Sequence, residues 1–283
     1  MDILDQFITC KNIILIDKNV LNETLTNLIR IDYEDVSCNI QRFILDNVNK
    51  SGTKGVIIGL SGGLDSTVTA YLAAKALPKK NILCMSLPYN RITPRIDIED
   101  AKIVSNNLGV ELMRIDIAEI HNAFLNKLKK NMIAEGNLIA RIRMSLLYYM
   151  SNLKNRIVIG TSDRSELLMG YFTKHGDGGS DILPIGGLYK TQVRELGKYL
   201  KIPERILEKK SSPQLWKNQT AEEEMGLQYD MIDTVLNLLI DKKLHFEDIN
   251  KIVGDTSIIK KVIDMNKKSQ HKLEKTLIYK IQQ

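Results

Sequence analysis

Short apolar runs alternate with longer stretches of helical periodicity along the middle of this chain. The runs are too short for helices and predict strands, and the first of them, at 55–60, is consistent with a buried strand of a parallel sheet. They cover residues 55–60, 82–87, 111–115 and 156–160. The helical periods cover residues 36–48, 66–77, 98–108 and 117–153, and Gly136 with Asn137 marks the point where a break in the last would fall. This alternation predicts an α/β fold, a parallel sheet with helices on both faces.

The remaining segments complete the prediction of one domain over residues 1–283. Helices are predicted to dominate after Lys190, and residues 1–28 are an N-terminal extension of unknown role, a short helix or an arm. Six prolines and 17 glycines are spread thinly, without a low-complexity linker. In sheets of this class, ligands bind beyond the carboxyl ends of the strands. The residues that follow Leu60, Leu87 and Gly160 are therefore the first places to look for a site.

Composition excludes several classes of protein. No stretch approaches the ~18 consecutive apolar residues of a membrane span, and the N-terminus lacks a basic segment followed by an apolar one. The three cysteines are far apart and odd in number, so neither a disulfide framework nor a CxxC metal pair can be drawn. These features predict a cytoplasmic protein without a membrane partner.

The net charge of +6 is concentrated near the end of the chain. Residues 251–283 hold eight lysines and three acids, which accounts for +5 of the total. A pI near 9.0 first suggests nucleic-acid binding, but the rest of the chain is nearly balanced. We therefore predict no nucleic-acid partner and interpret the basic tail as solvated or substrate-attracting.

The segment after the first predicted strand has the residues of a phosphate-binding loop. It runs Leu60-Ser61-Gly62-Gly63-Leu64-Asp65-Ser66-Thr67. The glycines allow a tight turn, the hydroxyls add donors, and the N-terminus of the next helix attracts an anion. The loop has no lysine and does not match Walker A. The carboxylate of Asp65 would repel a phosphate unless a magnesium ion lay between them. The alternative is a glycine-rich turn with Ser66 as the helix N-cap.

Several motifs together resemble a known enzyme family. SGGLDS at 61–66 resembles the pyrophosphate loop of the N-type ATP pyrophosphatases. Further motifs resemble those of the ammonia-dependent NAD synthetases within that group. These are GNLIARIRM at 136–144, GTSDRSE at 160–166, GYFTKHGDG at 170–178, PIG at 184–186, LYKTQV at 188–193 and SQHK at 269–272. The resemblance covers about residues 31–272 and implies the adenine nucleotide alpha hydrolase-like fold.

The resemblance also implies roles for individual residues. The ATP-binding set would be Leu60, Ser61, Gly62, Gly63, Leu64, Asp65, Ser66, Thr67, Thr161, Lys190 and Ser212. Asp65 and Glu166 would hold Mg²⁺. The set that binds nicotinic acid adenine dinucleotide (deamido-NAD) would be Arg141, Lys174, Asp181, His271 and Lys272. Lys190 would also be catalytic, with Asp177 holding or deprotonating ammonium.

Each of these roles has a plainer alternative. Thr161 could cap a helix that begins at Ser162, and Glu166 could be a solvated acid one turn into that helix. The dinucleotide set could be ordinary surface charges. Lys190 precedes a predicted helix that starts near Thr191, where a cation opposes the helix dipole. This position favours a role for Lys190 as the partner of another anion.

The implied reaction is ATP-dependent amidation of deamido-NAD by ammonia, which yields NAD, AMP and pyrophosphate through an acyl-adenylate. The chain leaves no room for a glutaminase domain, and the resemblance implies a homodimer. Two other classes stay open, a tRNA-modifying N-type ATP pyrophosphatase and a nucleotide-binding module without chemistry.

Ala221 departs from the family pattern, which leaves the role of Glu222 open, while Thr220 and Glu223 match a capping box. The polar segment 209–219 is a candidate lid over ATP.

Overall fold

Four parallel strands form the sheet of this protein, in the order β3-β2-β1-β4. The computed structural model describes residues 18–274 and 276–279. The strands are β1 Val56–Gly59, β2 Ile82–Ser86, β3 Glu111–Arg114 and β4 Ile157–Ile159. Ile57 of β1 pairs with Leu83 of β2 on one side and with Val158 of β4 on the other. The predicted parallel α/β fold is confirmed, and each strand lies within its predicted run.

The helices surround this sheet and then form a group of their own near the C-terminus. They are α1 Lys18–Ile29, α2 Tyr33–Ser51, α3 Leu64–Ala76, α4 Arg95–Leu108, α5 Ala118–Leu125, α6 Met132–Lys154, α7 Arg164–Met169, α8 Lys190–Tyr199, α9 Glu204–Leu207, α10 Ala221–Met225, α11 Tyr229–Leu236, α12 Phe246–Val253 and α13 Thr256–Leu273. No described helix combines the length and the apolar character that a membrane span requires.

Both faces of the sheet are covered, because successive side chains of a strand point to opposite sides. Val56 and Ile58 face the core that contains α2, α3 and α8. Ile57 faces the opposite core, with side chains of α6 such as Ile139. Burial on both faces explains why β1 and β4 are uninterrupted apolar runs. β3 lies at the edge of the sheet, and its end residues Glu111 and Arg114 are exposed.

A third core lies among the C-terminal helices. It contains Tyr229 and Ile232 of α11, Ile249 of α12 and Val262 of α13, together with Leu28 of α1. The last part of the predicted N-terminal extension is thus a helix packed on α8 and α11. Residues 1–17 of that extension lie outside the described residues.

The predicted position of the break in the long helix 117–153 was wrong. The chain interrupts that helix between α5 and α6, where the side chain of Asn131 caps α6 by accepting from the N–H of Ala134. Gly136 lies inside α6, and an added Cβ there would come within 3.2 Å of the Trp216 ring. The side chain of Asn131 therefore caps the start of α6. Close packing against Trp216, and not a helix break, explains why residue 136 is a glycine.

Candidate active site

A cavity of about 660 Å³ lies at the carboxyl edge of the sheet. Its lining includes the residues that follow β1, β2 and β4, which is where ligands bind in parallel α/β sheets. Eleven of the predicted site residues line it: Leu60, Ser61, Gly63, Leu64, Asp65, Ser66, Thr161, Glu166, Asp177, Lys190 and Ser212. The segment 209–219 closes one side of the same cavity.

The phosphate-loop candidate is held in shape by its own hydroxyls and by α4. Gly62 has a positive φ of 82°, and a Cβ there would lie 2.1 Å from the carbonyl oxygen of Asp97. The N–H of Gly63 donates to Ser61 Oγ at 3.2 Å. Gly63 is the N-cap of α3, so the alternative with Ser66 in that role was wrong. Thr67 is fully buried and donates its hydroxyl to the Gly63 carbonyl, so it shapes the loop from behind.

The ammonium of Lys190 lies among three carboxylates at the mouth of this loop. Lys190 Nζ is 2.8 Å from Asp65 Oδ2, 2.8 Å from Asp163 Oδ2 and 2.9 Å from Glu166 Oε1. Its side chain is only 2% exposed. Burial alone lowers the pKa of Lys190, but the three carboxylates more than offset this and hold its pKa well above the usual value. Lys190 is therefore a permanent cation in a cluster whose formal charge is −2.

Asp163 is a member of this cluster that the sequence analysis missed. Its side chain caps α7 by accepting from the N–H of Glu166 at 2.8 Å, and Glu166 reciprocates toward the N–H of Asp163. Asp163, and not Thr161, is thus the N-cap of this helix. The spacing Asp-x-x-Glu is a capping-box signal that could have indicated it. Glu166 is mostly buried, so the alternative of a solvated helix acid was also wrong.

The cluster has the donor set of a site for a hard divalent cation. Oxygen atoms of Asp65, Asp163 and Glu166 lie within 4.8 Å of one another. The second oxygen of Asp65 is buried and has no hydrogen-bond partner among the described residues. Burial raises the pKa of Asp163 and of Glu166, the neighbouring carboxylates raise them further, and Lys190 opposes the rise. Magnesium takes one or two carboxylates of this kind and completes its shell with water and phosphate.

Four of the five predicted dinucleotide ligands lie together beside a second cavity of about 370 Å³. Arg141 donates to the carbonyl oxygen of Lys174 at 3.3 Å, and Lys174 Nζ donates to that of His271 at 2.6 Å. Lys272 Nζ donates to the carbonyl oxygens of Gly170 and Phe172. The lining includes Lys174 and Lys272. The cluster is cationic, as an anionic ligand would require.

Asp181 lies apart from that cluster. Its Oδ2 accepts from the N–H of Val158 at 2.7 Å, and its Oδ1 accepts from the hydroxyl of Tyr148 at 3.1 Å. The carboxylate thereby joins β4 to α6. Its position is exposed, so it remains open to further contacts.

Asp177 lines the first cavity and faces the cations of both regions. Its Oδ1 accepts from the N–H of Thr173 at 2.8 Å. Burial raises the pKa of Asp177, while Arg143 and Lys272 oppose that rise. Arg143, to which the sequence analysis gave no role, donates to the carbonyl oxygens of Leu87 and Pro213. Burial lowers the pKa of Arg143 to about 10.

The candidate lid is connected to the loop through one lysine. Lys209 Nζ donates to the Gly62 carbonyl at 2.9 Å and to Asp97 Oδ1 at 2.5 Å. Ser212 lines the cavity, and its hydroxyl accepts from the N–H of Gln214. The segment therefore rests against the edge of the site.

Glu222, whose role the sequence left open, has a structural contact. It accepts from the N–H of Tyr229 at 3.0 Å, which satisfies the first amide of α11. Thr220 accepts from the N–H of Glu223 at 3.3 Å, which confirms half of the predicted capping box. Glu222 and Glu223 thus act at helix ends, whereas Glu224 accepts from the hydroxyl of Tyr171 at 2.7 Å and from Gln219 Nε2 at 2.8 Å.

Comparison with known proteins gives a consistent family. A model of the family described as NAD synthase matches residues 36–276. The NH3-dependent NAD+ synthetase of Staphylothermus marinus is 46% identical over 253 residues, 88% of this chain and 92% of that protein. The one from Pyrobaculum aerophilum is 47% identical over 247 residues, covering 86% and 91%.

Solved structures agree with these sequence relatives. An NMN synthetase from Francisella tularensis superposes with a TM-score of 0.79 at 36% identity, covering 89% of this chain and all of that one. An NH3-dependent NAD synthetase from Campylobacter jejuni, solved with a nitrate ion, gives 0.76 at 33% identity, covering 88% and 100%. On these matches, this chain belongs to the NAD synthase family.

Proposed function

We propose that this protein catalyses the ATP-dependent amidation of deamido-NAD by ammonia, with NAD, AMP and pyrophosphate as products. The observation that carries the proposal is the Lys190 cluster, which lies beside a glycine-rich loop at the edge of a parallel sheet. That arrangement suits a nucleoside triphosphate whose charge must be neutralised. The curated relatives are NH3-dependent NAD+ synthetases, and a tRNA-modifying activity is not favoured.

ATP is proposed to bind with its phosphates at residues 60–67. The N-terminus of α3 and the loop amides attract the anion, while Thr161 and Ser212 add hydroxyls from the other sides of the cavity. Asp65 and Glu166 are the proposed Mg²⁺ ligands, and Asp163 adds a third carboxylate beside them. When bound, magnesium supplies positive charge to the phosphates. The carboxylates themselves keep Lys190 charged and fixed.

Lys190 is the proposed stabiliser of the leaving group. The carboxylate of the nicotinate ring attacks the α-phosphate, and the bond to the β-phosphate breaks, which releases pyrophosphate and leaves an acyl-adenylate. Negative charge accumulates on the departing pyrophosphate during this step. A fixed ammonium that is already in place stabilises that charge without reorganisation.

The dinucleotide is proposed to bind beside the second cavity. Arg141, Lys174, His271 and Lys272 form a cationic group suited to its pyrophosphate and carboxylate. Asp181 would accept from ribose hydroxyls. In the second step ammonia attacks the acyl carbon, the amide forms, and AMP leaves with the electrons of the broken bond. Asp177, which lines the first cavity, would hold the incoming ammonium and take its proton.

A homodimer is proposed on the basis of an exposed apolar surface on α6. Tyr149 and Leu153, one turn apart near the C-terminal end of α6, are each more than 60% exposed. Neighbouring exposed apolar side chains of this kind occur on surfaces that pair with another subunit. A cytoplasmic location and the absence of a nucleic-acid partner remain predictions from the sequence.

The proposed function is tested by incubating the purified protein with ATP, MgCl₂ and deamido-NAD and following NAD and AMP. Ammonium should support equal amounts of both products, and glutamine alone should support almost none. Asp65→Asn is the matched inactive control. Because the Francisella relative is an NMN synthetase, nicotinic acid mononucleotide is assayed in parallel. Turnover with the mononucleotide but not with the dinucleotide would refute the proposed substrate.

A further inference from the structure

One face of α11 is buried directly behind the Lys190 cluster. Tyr229 and Asp233 lie one turn apart on this helix, and both are fully buried. The ring of Tyr229 lies 5.2 Å from Lys190 Nζ, a cation–π contact with the end of the lysine side chain. Asp233 reaches the backbone of Lys190 indirectly, through Ser165, and contacts the N–H of the next residue, Thr191.

Asp233 connects the two helices that carry the cluster. Its Oδ1 accepts from Ser165 Oγ at 2.5 Å, and its Oδ2 accepts from the N–H of Thr191 at 2.9 Å. Ser165 Oγ in turn accepts from the N–H of Lys190 at 2.8 Å. The serine hydroxyl has a single proton, so while it accepts from Lys190 it donates to Asp233. This chain of bonds fits an ionised carboxylate that accepts twice.

These contacts fix the two helix starts relative to each other. Lys190 and Thr191 are the first residues of α8, whose free N–H groups need acceptors and favour an anion. Ser165 immediately precedes Glu166 in α7. A carboxylate that binds both helices therefore sets the distance between the ammonium of Lys190 and the carboxylates of α7.

We propose that Asp233 is a positioning residue for the adenylation step, acting through Ser165 and the start of α8 to hold Lys190 in place. This inference rests on the proposed function for its kinetic consequence. Asp233 does not line the cavity, so it would act without touching the substrates. A small displacement of a catalytic group can cost on the order of 10² in rate.

The test compares Asp233→Asn and Ser165→Ala with the wild-type enzyme. The amide of Asn has the size of the carboxylate, but one of its two end groups is an NH₂ donor. That donor would face the hydroxyl of Ser165 or the N–H of Thr191, and the group that it faces would then lose its acceptor there. The matched control is Asp230→Asn on the same helix, because that side chain is 61% exposed. We expect Asp233→Asn to lower kcat ten- to a hundredfold with the KM for ATP within threefold. Ser165→Ala should lower it in the same direction, and the control should stay within twofold.

The double variant tests whether the two residues act along one path. Asp233→Asn with Ser165→Ala should be no slower than the slower single variant, since both interrupt the same chain of bonds. Single effects that multiply would overturn the proposal. So would a kcat for Asp233→Asn within threefold of wild type at a temperature where its circular dichroism matches wild type.

A second measurement does not depend on the reaction. Acetic anhydride labelling, mapped by mass spectrometry, reports how well Lys190 is held and buried. Lys190 should label several-fold faster in Asp233→Asn, whereas alkylation of the fully buried Cys84 should not change. Unchanged Lys190 labelling, or a parallel rise at Cys84, would overturn the proposal. If the wild type makes no NAD, the proposed function fails and this labelling still decides the role of Asp233.

Discussion

Removal of the Lys190 ammonium should destabilise the protein and make its stability depend on magnesium. In Lys190→Ala, three carboxylates within 4.8 Å of one another lose their cation. Loss of one partner from a buried ion pair typically costs about 3–5 kcal/mol. For a large domain, 1 kcal/mol shifts Tm by about 2–4 °C, so a fall of roughly 10 °C is expected in EDTA. Magnesium should restore much of this loss, because it supplies two positive charges to a cluster of −3.

The assay is thermal unfolding followed by circular dichroism, with EDTA or with millimolar MgCl₂. The matched control is Lys198→Ala on the same helix, whose exposed ion pair with Glu195 contributes at most about 1 kcal/mol. A Tm fall below 2 °C in EDTA, or a fall of equal size with and without magnesium, would refute the reasoning. In Mg²⁺, with the chain folded, kcat should fall by about 10²–10³ from the loss of one preorganised donor, and the KM for ATP should change much less.

Further expectations follow from the same geometry. Asp65→Asn and Glu166→Gln should each abolish most AMP formation without unfolding the chain; near wild-type rates at limiting magnesium would contradict their assignment. Burial raises the pKa of Asp177. As the pH falls through that raised pKa the carboxylate becomes protonated, so kcat/KM for ammonium should fall. Asp177→Asn should be slower at all pH values and lack that part of the profile; an unchanged profile would argue against the role. The single tryptophan, Trp216, lines the cavity, so ATP binding should change its fluorescence. In Gly136→Ala the new Cβ meets the Trp216 ring, so this variant should alter the fluorescence response. No fluorescence change on ATP addition would place the nucleotide elsewhere.

The sequence predicted the parts of the site that are local in the chain. The strand 55–60 and the loop to Thr67 are adjacent, so apolar pattern, glycines and hydroxyls were sufficient to place them at the sheet edge. The break assigned to Gly136 was wrong because its packing partner, Trp216, is 80 positions away in the sequence. No local pattern shows such a neighbour.

The charges of the site were harder to predict than its position. Lys190 was expected near a phosphate, and its burial among three carboxylates was not foreseen. Asp163 and Glu166 lie at the N-terminus of α7, and Asp65 lies in the first turn of α3. Asp233 carried no motif at all, because its importance arises from two helix starts that meet it only in the folded chain.

The contact between Lys190 and Asp65 joins residues 125 positions apart in the sequence. A chain that has emerged from the ribosome only as far as β3 already contains the glycine-rich loop and Asp65. It contains neither Lys190 nor the two acids at the start of α7, Asp163 and Glu166. Closing so long a segment carries an entropic cost that local structure cannot offset. The charge arrangement proposed for ATP cleavage therefore appears only after the chain as far as Lys190 has folded. A chain that ends before Lys190 should bind phosphate weakly at most, and it should not consume ATP before the proposed dinucleotide site exists.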